Sequence, residues 1–232
     1  MKTKLFLFDI DGTLLTSGGA GEKALNLAMR DRFQCHEDLS KIEIAGRTDS
    51  GIARQLFKLH GIEPTPENLT QFLDCYLHHL AGQLPKTEGR LLPGIIELLE
   101  KLKTCPDVVV ALLTGNLEKG AKLKLTHYGV GEFFQFGAFA DDHHDRNQLG
   151  YFAKARASEI HGVDFAAESI YVLGDTPHDI SCGRAIGAKT VAIATGGYTR
   201  EQLLAHHPDF LFDDLSDLPA VLSALGVSVD EL

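Results

Sequence analysis

Short apolar segments rich in β-branched and aromatic residues alternate along the chain with longer segments whose apolar residues recur at helical spacing. The short segments predict strands at Lys4–Phe8, Val108–Leu113, Phe134–Phe139, Ser169–Leu173, Thr190–Ala194 and Phe210–Phe212. The longer segments predict helices at Ile95–Lys103, Leu117–Tyr128, Leu149–His161, Asp179–Ile186, Arg200–His206 and Leu218–Leu225. Because strands that alternate with helices form parallel sheets covered on both faces, the pattern predicts an α/β fold.

One interval, from Gly18 to about Pro93, breaks this alternation. It carries helical patterns at Glu22–Phe33, Ser50–His60 and Pro66–Leu84, without a convincing buried strand. Glycine-bearing segments open and close the interval, and glycine accepts the unusual backbone angles of a hinge. We therefore predict a helical domain, residues 18–89, inserted into a core formed by residues 1–17 and 90–232.

Composition narrows the class of protein. The 232 residues are 44% apolar and 23% charged, which is typical of a globular chain with a sizeable core. The net charge of −10 argues against a nucleic-acid partner, which needs a basic surface. The four cysteines are widely spaced, as in reduced cytoplasmic proteins, and the apolar runs are too short for a membrane span. We expect a cytoplasmic monomer or homodimer with no nucleic-acid or membrane partner.

Acidic residues follow two of the predicted strands, at the sheet edge where parallel folds bind ligands. Asp9 and Asp11 lie two apart after the first strand, and Asp175 and Asp179 follow the fourth. Either pair alone is also compatible with a turn or a helix cap. Four acids at one edge would repel one another strongly unless a cation lay among them. Mg²⁺ fits, because it binds few carboxylates and bridges phosphate oxygens.

The second strand leads into Leu-Thr-Gly-Asn, residues 113–116, immediately before a predicted helix. The hydroxyl of Thr114 and free backbone N–H groups at a helix start form a typical phosphate site. Thr114 and Asn116 are equally suited to an ordinary N-cap. The segment therefore supports a phosphate site only in combination with the acids.

In this order, the three segments resemble the first, second and fourth motifs of the haloacid dehalogenase superfamily. Leu-Leu-Pro-Gly at residues 91–94 is similar to its phosphoglycolate phosphatase-like branch, and the insertion looks like the superfamily's C1-type helical cap. The resemblance implies a Rossmann-like three-layer α/β/α core with a parallel sheet. It also implies a Mg²⁺-dependent phosphatase that hydrolyses a small phosphorylated metabolite through an aspartyl-phosphate.

The resemblance also implies roles for individual residues. Asp9 would be the nucleophile, and Asp11 would protonate the leaving oxygen and then deprotonate water. The metal would be held by the Asp9 and Asp175 carboxylates and the Asp11 backbone carbonyl, with Asp179 positioning them. Thr114, Gly115 and Asn116 would bind the transferring phosphoryl group. An acid at position 11 favours phosphate-ester hydrolysis over dehalogenation, because an alkoxide is a poor leaving group.

Two basic residues are assigned less directly. The superfamily's third motif is usually a lysine, whereas the cation at the expected place here is Arg146, with Lys154 further along as the alternative. Arg47, in Gly-Arg-Thr-Asp before a predicted cap helix, is either part of a capped turn or a contact to an anionic group of the substrate. We expect Arg146 to fill the third-motif role.

Two other functions remain compatible with these motifs. A β-phosphoglucomutase-like phosphomutase would share Asp9, Asp11 and the metal site, and would differ in its cap residues. A phospho-acceptor signalling domain also uses clustered aspartates and Mg²⁺, but is about half this length and lacks a helical cap. The phosphatase is the function we favour.

Overall fold

The computed structural model describes residues 3–35 and 39–227. In chain order, its strands are β1 (Lys4–Phe8), β2 (Leu15–Thr16), β3 (Arg90–Leu91), β4 (Val108–Leu113), β5 (Gly137–Ala138), β6 (Ile170–Gly174), β7 (Lys189–Ile193) and β8 (Phe210–Phe212). Its α-helices are α1 (Ala20–Phe33), α2 (Asp49–His60), α3 (Pro66–Gln83), α4 (Ile95–Lys103), α5 (Glu118–His127), α6 (Arg146–His161), α7 (Pro177–Ala185), α8 (Arg200–Leu204) and α9 (Leu218–Leu225). No helix within the described ranges is long and apolar enough to cross a membrane.

Six of the strands form a parallel sheet in the order β5-β4-β1-β6-β7-β8. Alternate residues of β1 point to opposite faces, so Phe6 and Phe8 join the apolar cluster with α4 and α9, while Leu5 and Leu7 pack with α6 and α7. The sheet is thus covered on both faces, which confirms the predicted Rossmann-like α/β architecture. In the sheet, β1 lies between β4 and β6. The strands that follow β1 in the chain are placed first on one side of it and then on the other, and this reversal opens a crevice at the carboxyl end of β1.

The segment between β2 and β3 forms a second packing unit. Helices α1, α2 and α3 surround a second apolar cluster, in which Phe57 and Phe72 pack edge to face against each other and which Leu117 and Ala140 also join. Strands β2 and β3 pair antiparallel where the chain leaves and re-enters the region of the sheet. This small pair has no counterpart in the sequence prediction, because two residues are too few to show a period.

Two predicted boundaries are wrong in ways that affect the site. The strand predicted at Phe134–Phe139 shrinks to β5, because the chain first makes a 3-10 turn at Gly131–Phe133 and pairs only with the end of β4. The helix predicted to begin at Leu149 begins at Arg146, because the Asp145 side chain caps it by accepting a hydrogen bond from the Asn147 N–H. Arg146 therefore lies in the first turn of α6.

Candidate active site

Three carboxylates meet at the crevice beyond the ends of β1 and β6. Asp9 follows β1, Asp175 follows β6, and Asp179 lies in the first turn of α7. One oxygen of each lies within 4.8 Å of the other two, and all three side chains are buried. We call these three residues the acid cluster. The fold brings together side chains that are about 170 residues apart in the sequence, as the sheet-edge argument predicts.

Asp179 both caps α7 and takes part in the acid cluster. One of its oxygens accepts hydrogen bonds from the Thr176 N–H at 3.0 Å and from the Thr176 hydroxyl at 2.7 Å, which completes a capping box at the start of α7. The other oxygen pairs with Arg146. Helix capping therefore fixes the orientation of a residue that also belongs to the acid cluster.

Glycines allow the backbone to approach Asp175 closely. A Cβ atom at Gly12, whose φ is +81°, or at Gly196 would overlap the Asp175 carboxylate. The Thr13 hydroxyl donates to this carboxylate at 3.3 Å. The side chain is consequently enclosed by two backbone segments that any other residue type would push away.

Arg146 is the cation of the acid cluster. Its Nη2 atom lies 3.0 Å from Oδ1 of Asp9 and contacts Oδ1 of Asp179, and its Nη1 donates to the carbonyl of Gly46 at 3.3 Å. The guanidinium is buried. Lys154, the alternative drawn from the sequence, lies about two turns further along α6.

The electrostatics of the cluster favour a divalent cation. Burial raises the pKa of Asp9 to about 6, an effect that Asp179 reinforces and Arg146 opposes. Burial, with Asp179 and Asp9 nearby, raises the pKa of Asp175 well above its usual range. One guanidinium against three carboxylates leaves negative charge uncompensated. All the side-chain donors are oxygens, as Mg²⁺ requires, so the residues present fit that ion.

The loop after β4, residues 114–117, presents its backbone beside the acid cluster. The buried Thr114 hydroxyl accepts hydrogen bonds from the Asn116 N–H at 3.3 Å and from the Asn116 amide at 2.9 Å. It does not cap α5, whose N-cap is Leu117. The ordinary N-cap interpretation of Thr114 is therefore wrong, and we name residues 114–117 the β4 loop.

Asp11 makes two hydrogen bonds through one oxygen. Its Oδ2 accepts from the Lys124 Nζ at 2.6 Å and from the Asn116 amide at 2.8 Å. Lys124 also donates to the Asn116 Oδ1 at 2.7 Å. Asp11, Asn116 and Lys124 thus form a hydrogen-bonded triangle next to the acid cluster.

The start of α2 is seated on the β4 loop. The Asp49 N–H donates to the Gly115 carbonyl at 2.7 Å, and the Asp49 carboxylate accepts from the Leu117 N–H at 2.8 Å. Thr48 caps α2 through the Gly51 N–H and donates to the His144 carbonyl at 2.6 Å. The helical insertion is therefore in contact with the loops that carry the candidate site.

Arg47 lies at the site but forms an ion pair with Glu43. Its guanidinium pairs with Glu43, with Nε 2.8 Å from the carboxylate, and its side chain is partly exposed. Glu43 also contacts His178 at 2.9 Å, so it links the insertion to the first turn of α7. The structure thus places Arg47 at the wall of the site without a contact to the acid cluster.

A cavity of about 450 Å³ lies between the β4 loop, the acid cluster and the insertion. Its volume is in the range of small-molecule sites. Asp9, Asp11, Lys124, Arg146 and Arg47 line it together with the apolar side chains of Leu25, Ile44 and Ile52.

A family model for haloacid dehalogenase-like hydrolases matches residues 6–193. The chain belongs to this family. Among curated relatives, this haloacid dehalogenase-like hydrolase is 29% identical over 244 residues to pyrophosphatase PpaX of Bacillus cereus, covering 98% of the chain and all of the relative. It is 27% identical over 220 residues to phosphoglycolate phosphatase of Rhodobacter capsulatus, covering 93% and 95% of the two chains.

The fold of this family member is also found in solved structures. CbbY of Rhodobacter sphaeroides, in complex with phosphate, superimposes with a TM-score of 0.75 at 18% identity, covering 93% of this chain and 96% of that one. At this level of identity the likeness establishes the shared fold.

Sequence reasoning missed two buried charges of this hydrolase, Lys124 and Asp49. A signal for Lys124 exists in the spacing, because the N-cap Leu117 and the α5 residues Gly120, Ala121 and Lys124 follow one another at helical spacing and all are buried. A lysine on an otherwise apolar helical face needs a buried partner. Asp49 had no comparable signal, because an acid in the first turn of a helix is common.

Proposed function

We propose that this hydrolase is a Mg²⁺-dependent phosphatase that acts on a small phosphorylated metabolite through an aspartyl-phosphate intermediate. The observation that carries the proposal is the buried acid cluster with Arg146, adjoining Asp11 and the β4 loop in one small cavity. The relatives named phosphoglycolate phosphatase and pyrophosphatase support a small phosphorylated substrate.

We further propose that residues 1–17 and 90–232 are the catalytic core and residues 18–89 a cap. The apolar cluster of α1, α2 and α3 supports this division, because its buried members come from residues 18–89 apart from Leu117 and Ala140, as does the pairing of β2 with β3 at the junction. A cap seated on the β4 loop excludes water from phosphoryl transfer and restricts the site to small esters.

The carboxylates of Asp9 and Asp175, oriented by Asp179, are the groups that would hold Mg²⁺, together with the Asp11 backbone carbonyl. The bound ion would supply positive charge for the phosphoryl oxygens and permit two acids to ionise side by side. Arg146 compensates part of the negative charge of the acid cluster permanently, because it pairs with Asp9 and Asp179.

In the first step, a carboxylate oxygen of Asp9 attacks phosphorus. The bond from phosphorus to the ester oxygen breaks, and its electron pair stays on that oxygen, which takes a proton from Asp11. In the second step, water attacks the phosphoryl group, gives its proton to Asp11, and releases phosphate and the Asp9 carboxylate. Thr114, Gly115 and Asn116 would hold the transferring oxygens, so catalysis is largely positioning.

A panel of small phosphate esters, with and without Mg²⁺, tests the proposal on wild type and Asp9→Asn. We expect metal-dependent phosphate release that falls by more than about 10³-fold in Asp9→Asn, as when other enzymes lose their nucleophile. Asp107→Asn, at an exposed aspartate, is the matched control and should behave as wild type. Normal turnover by Asp9→Asn would refute the nucleophile assignment.

A hexose 1-phosphate with a trace of bisphosphate separates hydrolysis from the phosphomutase reaction. The proposal predicts free phosphate. Hexose 6-phosphate would instead identify a phosphomutase, and a stable phosphoprotein without turnover would identify a signalling domain.

A further inference from the structure

Lys124 is a buried lysine whose charged end points at Asp11. Its side chain is 4% exposed, whereas that of Asp11 is 42% exposed. Lysine is buried almost exclusively where its charge is paired. Packing alone does not fix an aspartate with so much exposed surface, so the hydrogen bonds from Lys124 and Asn116 determine its orientation.

Both hydrogen bonds end on the same carboxylate oxygen. Oδ2 of Asp11 accepts from the Lys124 Nζ at 2.6 Å and from the Asn116 amide at 2.8 Å. A carboxylate oxygen has two acceptor positions, so these donors fill both. A proton bound to Asp11 must then reside on the other oxygen, Oδ1.

We propose that Lys124 is a positioning residue that holds Asp11 so that Oδ1 is the oxygen that delivers the proton to the leaving group. The inference rests on the proposed phosphatase function. As the bond between phosphorus and the ester oxygen breaks, that oxygen keeps the electron pair and takes the proton from Oδ1 of Asp11, whose carboxyl becomes a carboxylate. Lys124 keeps its own protons throughout and acts only through Asp11 and Asn116.

A positioning role has a kinetic signature that a purely structural role lacks. Loss of packing around Lys124 would slow every substrate alike, whereas loss of proton delivery slows esters in proportion to the basicity of the leaving oxygen. Phenyl phosphate and 4-nitrophenyl phosphate differ little in size, but nitrophenolate is a much weaker base and leaves without a proton. The ratio of kcat/KM for these two esters therefore reports on proton delivery.

The experiment compares wild type, Lys124→Met and Lys122→Met. Methionine is an unbranched side chain without hydrogen-bond donors to offer Asp11. Lys122 is exposed on the same helix and serves as the matched control. We expect Lys124→Met to lower kcat/KM for phenyl phosphate about tenfold more than for 4-nitrophenyl phosphate, a part of the 10²- to 10⁴-fold typical of general acid catalysis. Lys122→Met should leave both values unchanged.

A double-mutant cycle tests whether Lys124 acts through Asp11. In an Asp11→Asn background, Lys124→Met should leave the ratio between the two esters unchanged, because no proton remains to be positioned. Should Lys124→Met fail to fold, Lys124→Leu, which likewise has no hydrogen-bond donor, is used in its place. Its shorter side chain should give the same selective loss.

The results separate this inference from the function on which it rests. Equal losses for the two esters, no loss, or a ratio that still changes in the Asp11→Asn background would overturn the role of Lys124 while leaving the phosphatase intact. If wild type hydrolysed neither ester nor any other small phosphate ester, the phosphatase proposal and this inference would both fall.

Discussion

Asp49 carries a buried carboxyl at the start of α2, and its titration should be visible in the stability of the protein. Burial raises its pKa to about 6, with Lys124 acting in the opposite direction. In an unfolded chain an aspartate has a pKa of about 3.9. Between about pH 4 and pH 6 the folded state therefore binds more protons than the unfolded state, and the free energy of unfolding falls as the pH rises.

We predict that Asp49→Asn flattens this pH dependence. An asparagine oxygen can still accept the hydrogen bond from the Leu117 N–H but does not titrate. Between pH 4 and pH 6.5, the wild type should lose on the order of 2–3 kcal/mol more unfolding free energy than the variant. Urea denaturation without divalent cations measures the difference, with Asp107→Asn as the control. Parallel curves for wild type and Asp49→Asn would contradict the burial argument.

At the scale of elements, the helical insertion contacts the β4 loop through backbone atoms. A Cβ atom at Gly115 would overlap the carbonyl of Arg47, whereas the backbone angles there allow alanine. The loop before α2 and the β4 loop can therefore come this close only because residue 115 is glycine.

We predict that Gly115→Ala preserves the fold but prevents the cap from seating, with kcat/KM reduced by about 10- to 100-fold. Small displacements of positioning groups have effects of this size. Steady-state kinetics and thermal unfolding measure the two parts of the prediction. Gly82→Ala, in a helix position with open space around it, is the matched control and should keep full activity. Wild-type kinetics in Gly115→Ala would show that cap contact is dispensable.

The elements that periodicity predicts well are those with many buried residues. Strands Lys4–Phe8 and Val108–Leu113 have the predicted bounds, because apolar runs between turn signals leave little freedom. The start of α6 depends on one hydrogen bond that the Asp145 side chain, at the N-cap, accepts from the Asn147 N–H, and no apolar period encodes it.

The candidate site, too, is predictable where the sheet positions its residues and unpredictable where single side-chain contacts do. The sheet edge predicts that Asp9, Asp175 and Asp179 converge, because the ends of parallel strands lie together. Which oxygen of Asp11 is hydrogen-bonded, and by which donors, depends on the rotation of α5 and on Lys124. These are tertiary details that a single sequence does not contain.

At the scale of the whole molecule, folding brings together acidic residues that lie far apart in the sequence. The chain has a net charge of −10, with seven acids and no Lys or Arg among residues 201–232. The acid cluster instead collects residues from the first and last thirds of the chain into one buried group. The folded state consequently bears an electrostatic cost in the absence of a cation, and binding of an ion should recover it.

Mg²⁺ should therefore reverse which of two proteins, wild type or Asp175→Asn, unfolds at the higher temperature. Without divalent cations, we expect Asp175→Asn to unfold at a higher temperature than wild type, because the raised pKa of Asp175 reflects the cost of burying its charge beside Asp179 and Asp9. With Mg²⁺ the wild type should become the more stable, since an ion at 100 times its Kd adds about 2.7 kcal/mol. Thermal unfolding in a chelator and in a Mg²⁺ titration gives the order of the unfolding temperatures under both conditions. Asp107→Asn controls for the loss of one charge. An equal gain for wild type and Asp175→Asn would place the ion elsewhere, because a site that depends on Asp175 cannot stabilise a protein that lacks its carboxylate.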